Sequence, residues 1–420
     1  MNIRAFGDVL KQRNYALYAA GNTVSLIGTW IQIIAFGWVT WEMTRSPLWL
    51  GVVSAAGIIP TLLGGVWGGI LADKVDRLRL TLWTQALSLV LTVIMFVLYQ
   101  TGTLTLLLMV IIKASLSAIT ALSQPARMAL ISRLVRPDQL GTAISFSSLT
   151  FNLARFIGPA LAGVIIAAAG VGITFLANAA TFAFMGLMVA MMRLPKGITK
   201  PVPLAKSEDK GTRPTGAIAY VMWTSGPLIL FTLLTIVVIS VRPVSEFFPA
   251  IASEQFGLGI EAVATLTSCL AAGSIVGGLW TAGRPISGQS RSVLTSSLLY
   301  ALSILAFLHT SSLLVGAIVL IIAGMFTAIF AISAQTLIQT GTPDALRGRV
   351  LGFWFVLNRA GPDLGALVIG LSTSLIGLHY SLIAGATLCM IVTLSAWIWH
   401  SQIKADLEVE ATATATAAPK

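Results

Sequence analysis

A chain of 420 residues with 10% charged and 56% hydrophobic side chains, and a mean hydropathy of +0.90, cannot cover a water-facing surface. A soluble domain carries about a quarter charged residues, so the apolar excess faces lipid and a soluble globular enzyme is excluded. The net charge of +11 does not indicate nucleic acid, because no solvated basic domain exists to carry such binding.

Segment Met1–Asn14 is polar and basic. The apolar run from Tyr15 is too long for the core of a signal peptide, so it reads as an uncleaved first span. The apolar runs are continuous rather than alternating, which predicts helices of about 20 residues and not a β-barrel. The first half gives spans over 16–41, 48–71, 80–100, 104–125, 140–168 and 172–192. The second half gives 227–251, 258–282, 291–309, 313–338, 347–375 and 378–399. Pro195, Pro201, Pro203 and Pro214 among Lys196, Lys200, Lys206, Lys210 and Arg213 mark a solvated linker between the halves. That linker ends in a short interfacial helix around Ala217–Trp223.

The expected fold is therefore an all-α polytopic membrane protein with twelve transmembrane helices, arranged as two pseudo-symmetric six-helix bundles. An N-terminal bundle spans 1–193, a cytoplasmic linker 194–226, and a C-terminal bundle 227–400. A disordered cytoplasmic tail spans 401–420 and contains the Ala-Thr repeat of Ala411–Lys420. Most of the 26 basic residues fall in the linker, the two terminal segments and alternate short loops, with Arg45 isolated on the other side. Under the positive-inside rule both termini are cytoplasmic, which requires an even number of spans.

The halves repeat. Pro137-Asp138-Gln139-Leu140, then Asn152, Arg155 and Gly158-Pro159, answer to Pro343-Asp344-Ala345-Leu346, then Asn358, Arg359 and Gly361-Pro362. Gly64, Gly65, Gly68 and Gly69 likewise answer to Gly273, Gly277 and Gly278, and small residues four apart let helix backbones approach closely. Parallel repeats of six spans are a transporter architecture, with substrate held near the bilayer midplane. An enzyme is not expected, since no nucleophile–base set is present. There is also no phosphate-cradling loop of a primary pump. Cys269 and Cys389 read as packing residues, and His309, His379 and His400 form no cluster. No metal and no cofactor are expected.

An ion inside the bilayer needs a partner or a wet cavity. Arg359 and Asp363, like Arg242 and Glu246, are four apart and can neutralise each other on one helix face. Lys113 and Arg155 have no acid on their own helix and fall near mid-depth. They point to a cationic cavity suited to an anionic or zwitterionic substrate, with Gln32, Gln335 and Arg359 as further lining residues. Arg155 serves equally well as a partner of backbone carbonyls or of Asp363. Asn22 and Gln339 add polar points, and Trp30, Phe36 and Phe330 are among the apolar walls.

The turn after span two, Gly69-Ile70-Leu71-Ala72-Asp73-Lys74-Val75-Asp76-Arg77-Leu78-Arg79, closely resembles the signature loop of the major facilitator superfamily, with Asp76 in place of the usual second glycine. That replacement, with Gly28-Thr29-Trp30-Ile31-Gln32 and Gln124-Pro125-Ala126-Arg127, is similar to the branch of enterobactin and macrolide exporters. The resemblance covers Arg13 to about His400. It implies that Asp73 is a gate acid, with Arg77 and Arg127 as partners. Gly158-Pro159-Ala160-Leu161-Ala162-Gly163 is similar to the glycine-proline motif of proton-driven antiporters, where Pro159 bends span five and Gly158 and Gly163 permit close packing. Ala154 and Ala162 stand where that motif prefers glycine.

The resemblance thus implies a secondary exporter of amphipathic small molecules (a siderophore, drug or metabolite), working by alternating access and proton antiport in a bacterial-type plasma (inner) membrane. A monomer is expected. Glu42, Asp363 and Glu246 are the proton-coupling candidates. The alternatives are an uptake permease of the same fold and a non-transporting membrane receptor or scaffold.

Overall fold

A chain so uniformly apolar can satisfy its backbone polar groups within lipid only as helices or a closed barrel. The computed structural model describes residues 3–72, 74–193, 215–282, 284–285 and 287–408, and among these there are no strands. The N-terminal part forms α1 (Ile3–Leu10), α2 (Arg13–Thr44), α3 (Pro47–Ala55), α4 (Ile58–Ala72), α5 (Arg77–Gln100), α6 (Leu106–Leu134), α7 (Leu140–Ala169) and α8 (Val171–Ala190). The remainder forms α9 (Thr215–Trp223), α10 (Ser225–Ile236), α11 (Phe248–Glu254), α12 (Ile260–Thr281) and α13 (Gln289–Leu308). Then come α14 (Leu313–Gly341), α15 (Asp344–Ile376), α16 (Leu378–Ile398) and α17 (His400–Leu407). Eleven spans among the described residues are long and apolar enough to cross a membrane, with Pro47–Leu71 and Ser225–Glu254 each running through two labelled helices. The twelfth long helix, α15, has 33 residues, and Arg347, Arg349, Arg359 and Asp363 lower its hydropathy. The chain is an all-α polytopic membrane protein.

The internal repeat is visible in the backbone itself. A proline lies inside α7 (Pro159) and inside α15 (Pro362). Gly170 joins α7 to α8 at φ 81°, ψ 164°, and Gly377 joins α15 to α16 at φ 80°, ψ 163°. Positive φ at both corners requires glycine, so the two halves turn the same corner with the same residue. The glycine pairs also behave alike. Gly64 and Gly68 of α4 lie against Ala121 and Leu122 of α6, where an added Cβ would come within 2.8 Å of Ala121 Cβ and of the Leu122 carbonyl. Gly273 and Gly277 of α12 lie under the Ile321 and Met325 carbonyls of α14. Without a hydrophobic drive between helices in lipid, this close backbone approach is what lets them adhere.

The chain divides into two compact units. Unit 1 holds residues 1–45, 55–205 and 258–268, and unit 2 holds 46–54, 206–257 and 269–420. Span two therefore changes unit between Ser54 and Ala55, at the last residue of α3, and α12 changes unit after Ser268. In unit 1, α2 is the central element and packs against α7 and α8. One end of that packing is a cluster of Tyr15, Tyr18, Leu130, Met185 and Val189, with Tyr15 donating to the Ala143 carbonyl at 3.1 Å. In unit 2, α13 packs on α14 and α16 around the buried Phe307, which meets Phe248 edge-on at 6.0 Å.

Two expectations are revised. Residues 401–407, read as part of a disordered tail, belong to α17 (His400–Leu407), which buries Ile403 and Leu407. The Asp406 carboxylate accepts from Gly226 N at 2.7 Å, and Glu408 accepts from Ser290 N at 2.6 Å. Each acid thus serves the N-terminal turn of a membrane helix, where backbone donors are unsatisfied and the dipole is positive. The second revision concerns the span Ser225–Glu254. Its α ladder is interrupted by a π turn at Val237–Val241 and a 3-10 segment at Arg242–Phe247. A helix occupies the end of the linker at Thr215–Trp223, while the rest of the linker and the Ala-Thr repeat lie outside the described residues.

Candidate functional site

Three basic side chains from two helices converge on α2, all within unit 1. Arg127 of α6 donates from Nη2 to Asn22 Oδ1. Arg155 of α7 lies over the ring of Trp30, 5.7 Å from its centroid. Lys113 of α6 places Nζ 5.7 Å from the centroid of Phe36. From position 22 to position 36 a helix rises ~21 Å at 1.5 Å per residue, so the cations form a column along much of a span. Lys113 and Arg127 share one face of α6, because 14 residues is close to four turns.

The rings are themselves held. Phe36, 4% exposed, packs edge-on against Phe175 at 5.8 Å, and Phe175 against Tyr99 at 6.2 Å. Trp30 packs edge-on against Phe151 at 6.0 Å, and Gly158 leaves room for its Cβ. A cation on the negative face of a ring is stabilised by about 0.5–2 kcal/mol, less than a carboxylate would supply. Among the described contacts the Lys113 ammonium has the Phe36 ring and no carboxylate. It keeps its three N–H donors for another partner.

The gate residues are only partly described. Asp73 lies outside the described residues. Arg77 opens α5, and its Nε is buried with no hydrogen-bond partner among the described residues. Asp76 is the residue that stands in place of the signature loop's usual second glycine. It caps α5, its Oδ1 accepting from Leu78 N at 2.9 Å and Arg79 N at 3.1 Å. An aspartate just before a long apolar run is the usual signal for such a cap.

The other expected lining residues are scattered. Gln32 is not a lining residue in unit 1, because it is 5% exposed and accepts from Asn178 Nδ2 between α2 and α8. Thr181 in turn donates to Asn178 Oδ1 at 2.8 Å, so this polar set is consumed in helix packing. Gln335 is half-buried on α14, and Arg359 is exposed on α15. Glu42 is exposed near the end of α2, and Asp363 is half-buried on α15. Gly158, Pro159 and Gly163 are buried in α7, where a Cβ on Gly163 would come within 2.8 Å of Ala264 Cβ.

Arg242 and Glu246 do not form the one-face pair that their spacing implies. They sit on a 3-10 segment with three residues per turn, so positions four apart point about 120° from each other. Arg242 donates from Nη1 to Asn358 Oδ1 at 2.8 Å, and Glu246 accepts from Ser54 Oγ at 2.9 Å. Two grooves of about 680 and 670 Å³ lie elsewhere, one along α15 and α16 by Ile376 and Tyr380, the other between α5 and α8 by Trp83 and Phe182. Neither touches the cation column. No cluster of three or more metal-ligating side chains occurs among the described residues.

Known proteins share this architecture. The chain is 27% identical to the staphyloferrin A transporter of Staphylococcus aureus (strain NCTC 8325 / PS 47) over 398 residues, covering 91% of this chain and 95% of that one. It is 26% identical over 329 residues to the enterobactin exporter EntS of Salmonella typhimurium, covering 75% and 76% of the two chains. A bacterial homolog of the human lysosomal transporter Spinster superposes with a TM-score of 0.73 at 13% identity, covering 97% of this chain and 99% of that one. A POT family transporter superposes at 0.70 with 14% identity, covering 93% and 96%. These relatives and this fold are those of transporters. The sequence profile of the family described as "Transmembrane secretion effector" matches residues 8–417, and the chain belongs to that family, a multi-pass membrane transporter of the major facilitator type that handles a small-molecule substrate.

Proposed function

We propose that the protein exports anionic, amphipathic small molecules of the siderophore, drug or metabolite class in exchange for protons, by alternating access. It works as a monomer in a bacterial plasma membrane, with both termini on the cytoplasmic side. The observation that carries this reading is the column of Arg127, Arg155 and Lys113 along α2. Placing a cation within a span costs at least ~2.5–3.5 kcal/mol, and an aromatic face offsets only part of that. An anionic substrate group supplies the rest at Lys113, the residue that recognises it, and Arg155 lines the same column. The relatives named for staphyloferrin A and enterobactin support a siderophore-like cargo. The name of the second supports export.

Asp73 serves as the gate acid and Arg77 as its cation, a role supported by the buried Arg77 Nε without a described partner. Pro159 gives α7 its bend, and Gly158 and Gly163 give it its close contacts. Orientation follows from the basic loops: charge asymmetry of this size places them on the cytoplasmic side. The test is transport of staphyloferrin A and enterobactin in membrane vesicles of both orientations. Export predicts accumulation in inside-out vesicles carrying the protein. Accumulation in right-side-out vesicles alone would establish uptake in its place.

A further inference from the structure

The broken stretch of Ser225–Glu254 carries chemistry that the cation column does not use. A π turn followed by a 3-10 segment is costly within a membrane, and such interruptions gather where a helix has a job beyond spanning. Here the interruption presents two ionisable groups, Arg242 and Glu246, about 18 and about 12 Å from the end of the span at 1.5 Å per residue. The guanidinium is engaged by Asn358 of α15. The carboxylate accepts from a neutral donor, Ser54 Oγ, at 2.9 Å.

Ser54 belongs to α3, the half of span two that lies in unit 2, whereas α4, its continuation, lies in unit 1. Within unit 2, α3 is seated on α15 by reciprocal close approaches. Gly51 lies under the Ala366 carbonyl, and a Cβ on Gly370 would meet Leu48 Cα and the Pro47 carbonyl at 3.3 Å. That contact is backbone on backbone, and α3 itself, Pro47–Ala55, contains no charged residue. Ser54 to Glu246 is the polar tie on an otherwise apolar seat.

We propose that Glu246 is the coupling acid of this transporter and that its ionisation state controls whether α3 stays tied to unit 2. The proposal rests on the proton-antiport reading above and names the site at which it acts. In the ionised state the carboxylate accepts a charge-assisted bond from Ser54, the stronger kind. A proton arriving from the aqueous phase adds to one carboxylate oxygen and turns that bond into an ordinary neutral one, while Arg242 keeps its charge. The tie weakens, α3 leaves its seat by turning about Ala56-Gly57, and the proton is released when the site next meets water of higher pH. The other titratable or charged groups on the elements packed here include Arg347, Arg349, Arg359 and Asp363 on α15, Glu254 on α11, His379 and Tyr380 on α16, and Arg291 and Tyr300 on α13, the last beside Arg242. The π turn adds none.

The test uses the full-length protein in lipid nanodiscs, with Cys269 and Cys389 replaced by serine. Spin labels are placed through Trp49→Cys on α3 and Leu394→Cys on α16, both exposed positions. Distances are recorded from mildly acidic to mildly alkaline pH. The tied population falls on acidification, and its ratio to the released population changes by up to about tenfold per pH unit for one proton. Glu246→Gln holds the released distance at every pH. Ser54→Ala, which keeps the acid and removes its partner, raises the released population at neutral pH and loses the pH response, so the proposal stays testable if Glu246→Gln fails to fold, and a full pH response in Ser54→Ala overturns it. A pH response of full size in Glu246→Gln, or none in the parent protein, overturns the assignment to Glu246. Proton coupling itself is judged separately, by whether a pH gradient drives transport in the parent protein.

Discussion

Lys113 illustrates what one residue in lipid has to do. Its ammonium rests on the ring of Phe36, buttressed by Phe175, and keeps donors free for an anion. A hydrogen bond to a charged group contributes about 1.5–3 kcal/mol. Lys113→Gln should therefore raise KM for an anionic substrate roughly ten- to a hundredfold at 1.4 kcal/mol per decade, and Lys113→Arg should keep most of the affinity. Equal KM in all three proteins would remove Lys113 from the site. Asp76 acts on stability in place of transport. Loss of its two backbone acceptor bonds in Asp76→Ala should cost about 1 kcal/mol, read as a lower thermal midpoint. Both roles were partly legible in the sequence, since an unpaired charge in a span and an aspartate before an apolar run are local signals. Gln32 was misread for a physical reason. When a helix is apolar nearly all round, a single polar residue does not reveal which face it occupies. Only the position of Asn178, 146 residues away, makes it a packing residue.

At the scale of elements, the long spans were readable from hydropathy, but their ends and interruptions were less so. The expected span 104–125 belongs to a helix that runs on to Leu134, because Arg127 and Arg133 can remain helical beyond the apolar stretch. The break at Arg242 carried a local signal in Pro243, which lacks a backbone donor and opens the 3-10 segment. An i, i+4 pairing does not hold across it. The helix α17 was hidden by its short, mixed sequence. Its order comes from tertiary contacts, the burial of Ile403 and Leu407 and the carboxylates on Gly226 and Ser290, none of which periodicity encodes. Ile403→Ala should thus destabilise the protein by about 2–5 kcal/mol, as for other buried aliphatic truncations, and Asp406→Ala by about 1 kcal/mol. Thermal melts of the detergent-solubilised protein check both, and unchanged midpoints would show that α17 does not hold unit 2 together. Gly277 leaves no room for a side chain against α14. A side chain there meets the Met325 carbonyl, so Gly277→Leu should separate α12 from α14 and abolish folded protein on size-exclusion chromatography.

For the whole molecule, composition alone dictated the solvent and the all-α class, and the repeat of proline-aspartate turns and glycine-proline kinks pointed to two related halves. The matching corners at Gly170 and Gly377 give that repeat a backbone meaning which spacing alone could not. The division into units was less legible. Residues 46–54 and 258–268 each join the unit opposite to the rest of their half, because lateral seats such as Gly51 on Ala366 and Gly163 on Ala264 decide membership. Such seats join residues far apart in the chain. A cationic column that serves export powered by protons must move protons whenever it moves substrate. Purified protein in liposomes with an imposed pH gradient and an internal pH dye tests it most directly, with staphyloferrin A or enterobactin added as substrate. Substrate addition should speed decay of the gradient in the parent protein and not in Lys113→Gln. Substrate movement that leaves the gradient's decay unchanged would contradict it.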